Sequence, residues 1–279
     1  VTPGGPVAPL SPAIRAFDAL APGFDAAFAG WKSVAAQRRA VRREFLAAFP
    51  SGACLLELGG GTGEDALFLA GEGRRVHLTD GAPAMVAQTR AKARASGLDG
   101  LVTAERVALE DLGAWAAARG GAPFDGVFSN FASLNCVTDH ASVARGLARV
   151  LPPGARALLV VFGPASPAEV AVLLLRGRFR AAFRRFSRSP APARVAGETF
   201  AVTYPRPRAF AAAFSPWFAL RRTTGIGVFV PPSSAEPWIS RVPLALAAAE
   251  ALDRVFARPL ALLADHVLLD FTRTDAEAP

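Results

Sequence analysis

Methionine and tyrosine each occur once in the 279 residues, cysteine twice and histidine three times. So few soft and imidazole ligands restrict the chemistry available. Cys54 and Cys136 stand far apart with no C-x-x-C or metal-ligand spacing, and His77, His140 and His266 are scattered, so no metal site is expected. The two cysteines read as small buried apolar residues of a reduced compartment, which points to the cytoplasm. No apolar run reaches the roughly 18 residues of a membrane span. The opening, "VTPGGPVAPLSP", lacks the charged-then-apolar order of a secretory signal and reads as a disordered lead over 1–12. Lysine is scarce too. Lys32 and Lys92 are the only two, so 29 of the 31 basic residues are arginine in a chain of formal net charge +8. With heavy alanine, glycine and proline usage this fits GC-rich coding, and it weakens the step from basicity to a nucleic-acid partner.

What is present is a folded chain with 52% hydrophobic residues, long enough for a sizeable core. Strand-like runs at 53–58, 75–80, 101–109, 124–130 and 155–162 alternate with helical patterns at 64–73, 82–97, 110–121 and 140–154. That rhythm predicts βα units around a parallel sheet. Two helices are expected before it, at 14–31 and 34–49. After residue 165 the rhythm changes: a basic helix over 167–187, a strand at 198–204, a short helix near Phe210 and a strand over 217–230. A long Ala/Leu helix ending near Ala264 and a last strand at 266–274 follow. The organisation expected is the lead 1–12, a helical lid 13–50, and a single domain 51–279 with inserted helices around 167–216 and 240–264. No internal repeat is visible.

The stretch "ELGGGTGED", Glu57 to Asp65, is the most informative. A dinucleotide fingerprint after a strand reads G-x-G-x-x-G. Gly59 and Gly61 supply its first two glycines, but the third position is Glu64, and the spacing is instead Glu57-x-Gly59-x-Gly61-x-Gly63. The glycines permit a tight strand-to-helix turn and close backbone approach. A helix N-terminus carries roughly half a positive charge, which Glu64 and Asp65 partly offset. A cationic, phosphate-free ligand suits such a cradle better than a pyrophosphate. Asp80 ends the second strand about 20 residues on, where a carboxylate can accept both ribose hydroxyls; a helix cap is the plainer role for it.

"LLELGGGTGEDALFLA", "VHLTDGAPAMV" and "FDGVFSNFASLNCV" resemble the class I S-adenosylmethionine-dependent methyltransferases. The N-terminal "FDALAPGFD" is similar to the opening of their small-molecule branch, which includes ubiquinone/menaquinone and biotin-pathway enzymes. The resemblance covers roughly residues 15–165, and "DHVLLDFTR" matches that fold's last strand. It implies an α/β, doubly wound, Rossmann-like seven-stranded sheet, mostly parallel with an antiparallel last strand. It also implies S-adenosylmethionine as cofactor. Glu57, Gly59, Gly60, Gly61 and Gly63 would then border its methionine part, Asp80 would hold the ribose, and Gly81 and Met85 would pack near the ribose or adenine. Asn130 would sit beside the sulfonium. The chain departs from the family at Gly60, where cysteine or alanine is usual, and at Phe24, where a lid tyrosine is usual. The acid that meets the adenine amine would fall at Ala108, which leaves Glu110 or the backbone of Leu109 for that contact.

Methyl transfer needs an in-line approach, and a base only when the acceptor is a hydroxyl, an acidic carbon or a protonated amine. His266, opening the last strand, and His140, following the fourth, are the candidate bases; a cap or surface role is the plainer reading of each. Tyr204 is a candidate acceptor contact, with packing as its default. His77, mid-strand, is expected to be structural. If 167–187 is one helix, Arg176, Arg180, Arg184 and Arg188 form an i, i+4 stripe beside Phe179, Phe183 and Phe186. Such a stripe is either solvated or a surface that draws an anionic or carrier-bound acceptor. The function expected is methyl transfer to a small molecule. A nucleic-acid methyltransferase and a non-catalytic binding protein on the same fold remain alternatives. "SNFAS" after the fourth strand, in place of an Asn/Asp-Pro-Pro-aromatic tetrad, argues against the first. The acceptor, the methylated atom and the oligomeric state stay open.

Overall fold

The computed structural model describes residues 10–119, 122–131, 133–187 and 190–277. Of the lead 1–12, residues 1–9 lie outside them, and Pro12 is already the first residue of a helix capped by Ser11. The N-terminal region comprises α1 (Pro12–Leu20), α2 (Phe24–Phe28) and α3 (Lys32–Ala48). The single helix expected over 14–31 is therefore broken: Pro22 and Gly23 interrupt it with a 3-10 turn.

The βα units follow as β1 (Cys54–Leu58), α4 (Glu64–Gly71), β2 (Arg75–Asp80), α5 (Pro83–Ala95), β3 (Val102–Arg106), α6 (Leu112–Ala118), β4 (Gly126–Ser129), α7 (His140–Val150) and β5 (Arg156–Phe162). Beyond them lie α8 (Pro167–Leu175), α9 (Phe179–Ala182), β6 (Ala191–Val195), β7 (Glu198–Val202), α10 (Pro207–Phe214), β8 (Phe218–Ile226), α11 (Pro243–Phe256) and β9 (His266–Arg273).

Seven strands form one sheet in the order β3-β2-β1-β4-β5-β9-β8. β1 to β5 pair in parallel, and β9 runs antiparallel to both neighbours. Side chains alternate between two apolar layers. Ala157, Leu159 and Val161 of β5 join Leu112, Val143, Leu147 and Phe214 on one face. Leu158 and Val160 join Val41, Phe45, Leu69 and Val86 on the other. Each such large side chain contributes about 1.5–3 kcal/mol on burial, so helices are held on both faces. The strand order reverses between β1 and β4, which opens a crevice over their C-terminal ends.

The late segment departs most from expectation. The basic helix over 167–187 is three pieces, because Gly177 takes a left-handed φ of +68° after α8. The arginine stripe accordingly does not exist as one face, and Arg188 lies outside the described residues. The insertion around 167–216 is not purely helical. β6 and β7 pair as an antiparallel hairpin across a two-residue turn, Ala196-Gly197, with φ of +48° and +84°. Pro192 disguises β6 in the sequence, since proline is tolerated only at a sheet edge, and both strands of this hairpin are edges. The Ala/Leu helix stops at Phe256, well short of Ala264: Pro259, lacking an N–H, cannot continue it, and a 3-10 turn follows at Ala261–Leu263.

Candidate active site

The turn between β1 and α4 is built by backbone geometry. Gly63, the N-cap of α4, sits at φ +79°, and a Cβ there would lie 2.7 Å from Thr89 Cγ2. Gly60 faces a harder limit: its Cβ would fall 2.3 Å from Leu78 Cδ1 and 2.7 Å from Glu57 Cδ. Those contacts explain a glycine where the resembled family carries cysteine or alanine. Gly61 N donates to Asp80 Oδ2 at 2.9 Å, and Ala82 N donates to Oδ1 at 2.8 Å. Asp80 thus ties the glycine turn to the end of β2 while each of its oxygens keeps further accepting capacity. Burial raises its pKa, against those two hydrogen bonds.

The acids at the lip stand in the first turn of α4, as expected, and also pair with cations of other helices. Glu64 pairs with Lys92 and, at 3.4 Å, with Arg38. Asp65 accepts from Arg42 Nε at 2.7 Å and from Asn130 Nδ2 at 2.8 Å. They clamp α3, α5 and the β4 loop around the turn. The acid left over is Glu57. It is 2% exposed, and its Oε2 has no hydrogen-bond partner. Burial, with the negative charge of Asp65, pushes its pKa well above the usual carboxylate range. A buried, unpartnered carboxylate beside a glycine turn favours a cation.

One cavity of about 840 Å³ runs from this turn across the crevice. Its first end is lined by Glu57, Gly59, Gly60, Gly61, Asp80, Gly81, Met85, Leu109, Glu110 and Asn130. Gly63 does not face it and acts through the turn. α1 and α2 cover this end: Asp18 accepts from Ala84 N at 2.6 Å, and Thr62 Oγ1 donates to Asp25 at 2.6 Å. Phe24, Ile14 and Phe17 supply the apolar side of the cover.

At the other end stands His266. Its ring stacks on Phe162 at 5.0 Å and meets Phe131 edge-on at 5.8 Å. Phe131 holds a left-handed φ of +52°, a conformation costing about 1–3 kcal/mol that concentrates at functional sites. His266 Nδ1 lies 3.3 Å from Asp265 Oδ2, at ion-pair distance though without hydrogen-bond alignment. Asp265 is anchored in turn by Arg185 Nη2 at 2.6 Å and Gln37 Nε2 at 3.2 Å. Burial would raise the Asp265 carboxyl, but His266 and Arg185 hold it well below the usual range. Arg185, itself buried, also donates to Glu169 at 2.6 Å. Arg184 donates from Nη2 to Glu169 and from Nε to Tyr204 Oη at 2.9 Å. Because Tyr204 accepts there, its own proton is free for another partner. The hairpin β6–β7 roofs this end, with Phe17 and Phe200 rings 6.0 Å apart and Arg15 paired to Glu198 at 2.8 Å.

His140 does not belong to this arrangement. Its ring packs on Phe210 at 4.7 Å, with Nε2 2.9 Å from Leu134 O, on the far side of the loop after β4. The first turn of α7 buries it instead of turning it to the crevice. His77 Nδ1 contacts Thr103 on the neighbouring strand at 2.8 Å. Neither cysteine is fully buried, and both are unpaired. Cys136 lines the cavity, and burial pushes its thiol up to about 11. The residues missed from sequence are Glu169, Arg185 and Asp265. Only the adjacency of Asp265 to His266 could have signalled them.

Residues 55–154 match the family model described as a methyltransferase domain. The chain carries a class I S-adenosylmethionine-dependent methyltransferase domain. S-adenosylmethionine is the cofactor of this methyltransferase. Among solved structures the methyltransferase is similar to the [4+2]-cyclase SpnF, at 16% identity and TM-score 0.60, covering 97% of this chain and 99% of that one. It is similar to the CcbJ methyltransferase from Streptomyces caelestis, at 16% identity and TM-score 0.56, covering 85% and 89%. It is also similar to geranyl diphosphate C-methyltransferase from Streptomyces coelicolor A3(2), solved with Mg2+, geranyl diphosphate and S-adenosyl-L-homocysteine, at 14% identity and TM-score 0.52, covering 85% and 79%. At such identities the likeness speaks to the fold alone. No curated protein matches the chain in sequence. Among the described residues, no helix of the methyltransferase is long and apolar enough to cross a membrane.

Proposed function

We propose that this protein transfers a methyl group from S-adenosylmethionine to a small-molecule acceptor by in-line displacement. The observation that carries the reading is the single cavity joining the glycine turn and Asp80 to His266 and Tyr204. When bound, S-adenosylmethionine supplies an electrophilic methyl group on a sulfonium. Glu57 meets its ammonium, which gives the orphaned Oε2 a donor. Gly59, Gly60, Gly61 and Gly63 border the methionine part. Asp80 accepts from the ribose hydroxyls, Gly81 and Met85 flank the nucleoside, and Leu109 and Glu110 edge the adenine. Asn130, fixed by Asp65 and by its bond from Phe131 N at 2.9 Å, stands beside the sulfonium.

His266 is the general base. With Nδ1 turned to Asp265, Nε2 takes the proton of a hydroxyl, an acidic carbon or an ammonium, and Asp265 stabilises the imidazolium that results. Tyr204 donates its free proton to the acceptor. The lid 13–50 and the hairpin enclose both reactants over the domain 51–279 and exclude water. Holding them at attack distance supplies about 7–11 kcal/mol of the barrier. A cavity of about 840 Å³ covered by α1, α2 and the hairpin supports a small molecule over a nucleic-acid strand, and two free thiols accord with work in the cytoplasm.

The test is calorimetric titration with S-adenosylhomocysteine together with tritium transfer from labelled S-adenosylmethionine. Asp80→Ala is expected to weaken binding about 10- to 100-fold, the worth of a charge-assisted hydrogen bond or two. Label should enter a small-molecule extract and not RNA. Unchanged affinity in Asp80→Ala overturns the cofactor site, and label in RNA overturns the acceptor class.

A further inference from the structure

The two ends of the cavity carry opposite charge. At the first end Glu57 and Asp80 face inward, and the nearby cations Arg38, Arg42 and Lys92 are spent on Glu64 and Asp65. At the second end, the acids Glu169 and Asp265 are fully engaged by Arg184 and Arg185. Three further arginines line the same wall: Arg178 and Arg180, after the break in α8, and Arg194 on β6. Among the described residues, none of the three side chains makes an ion pair or hydrogen bond. They come from two separate segments that both line this cavity, and their charge is uncompensated. Phe131, Phe162, Phe200 and Val202 give the same cavity its apolar surface, with Phe162 stacked on the His266 ring.

We propose that the methyl acceptor is an amphiphile whose anionic group, a carboxylate or a phosphate, is held by Arg178, Arg180 and Arg194. Its apolar body lies along Phe162, Phe200 and Val202 and presents the reacting atom to His266. This rests on the methyl-transfer reading above. The physical basis is that arginine forks match carboxylate and phosphate geometry, and these three, exposed at the cavity's rim, have no acid of the chain to compete with a ligand. The charge division also keeps each ligand at its own end. An anion is repelled by the acid-lined turn, and a sulfonium is repelled by the arginines. The earlier arginine stripe pointed to Arg180 and Arg184 together. The folded chain divides them: Arg184 is committed to Glu169 and Tyr204, and Arg180 is free.

The test uses octyl phosphate, octanoate and 1-octanol as probes, titrated calorimetrically into the full chain loaded with S-adenosylhomocysteine. The comparison protein is the triple variant Arg178→Ala, Arg180→Ala, Arg194→Ala. Both or either anion should bind the unaltered chain at least about tenfold more tightly than octanol, and the triple variant should lose that advantage. A preference for octyl phosphate assigns a phosphate head, and a preference for octanoate a carboxylate. Equal affinity for octanol and both anions, no binding of either anion, or full retention of the advantage in the triple variant overturns the proposal. S-adenosylhomocysteine affinity is measured separately in both proteins and should be unchanged by the triple substitution. If it binds while the anions do not, the acceptor class fails and the methyl-transfer reading stands. If it does not bind, the cofactor site has failed instead, and the anion arm is read on the ligand-free chain by the same criteria.

Discussion

The end of the cavity built by β1, β2 and β4 differs in construction from the end built after β5. The first is organised by backbone, a glycine turn and a carboxylate accepting two N–H groups close by in sequence, with Asn130 and the α1–α2 cover packed on from farther along the chain. The second is made of side chains that converge from far apart, Glu169 to Arg185 to Asp265 to His266, with residue separations of up to 80 along the chain. Backbone geometry fixes the shape of the first end. A network of buried charges, anchored where β5 ends and β9 begins, holds the second together.

The strongest way to break this contrast is at the base. His266→Ala should lower kcat about 100- to 10,000-fold, as loss of a general base does, while calorimetry shows S-adenosylhomocysteine affinity unchanged. A loss of cofactor affinity instead would mean that the two ends are not separable. Next, Arg185→Ala leaves Glu169 and Asp265 buried without their shared partner. Urea unfolding should register a loss of about 3–5 kcal/mol. If stability holds, the ion network is ornament and the second end is organised by its aromatic rings. A smaller effect is expected at the glycine turn. Gly60→Val would drive side-chain atoms into Leu78 and Glu57, costing about 1–3 kcal/mol, with cofactor affinity falling in parallel.

The mildest effect is one of pH. Glu57 titrates above its ordinary value of 4.5 because it is buried. An ammonium beside it lowers that pKa, so binding releases a proton. Affinity for S-adenosylhomocysteine should therefore rise with pH, by at most about tenfold per unit, between the bound and free values, and be flat above them. Asp80, also raised, adds a contribution of the same sign. An affinity that falls as pH rises through this window would remove Glu57 from the site, and Glu57→Gln should flatten the profile.

Much of the first end was legible because its signals are local. The order strand, glycine turn, helix, strand, aspartate is written in about 25 residues, each with a backbone reason for its position. What the sequence hid there is electrostatic. Glu64 and Asp65 open α4 as expected, but Arg38 and Arg42 of α3 and Lys92 of α5 reach across to pair with them. Past residue 165 the periodicity misled. A helical stripe of arginines was broken by one left-handed glycine, Gly177, and a strand containing Pro192 hid in what read as a loop. His140 and His266 looked equal on paper. One follows a parallel strand and folds away under α7, and the other opens an antiparallel strand at the crevice.

Local order along the chain thus decided the sheet's parallel strands and the glycine turn, because short-range periodicity and backbone conformation act on neighbouring residues. Which histidine lines the cavity, which arginines remain unpaired and which carboxylate keeps a bare oxygen were decided only when distant elements packed. Charge pairing depends on separation in space, and separation in space is not written residue by residue.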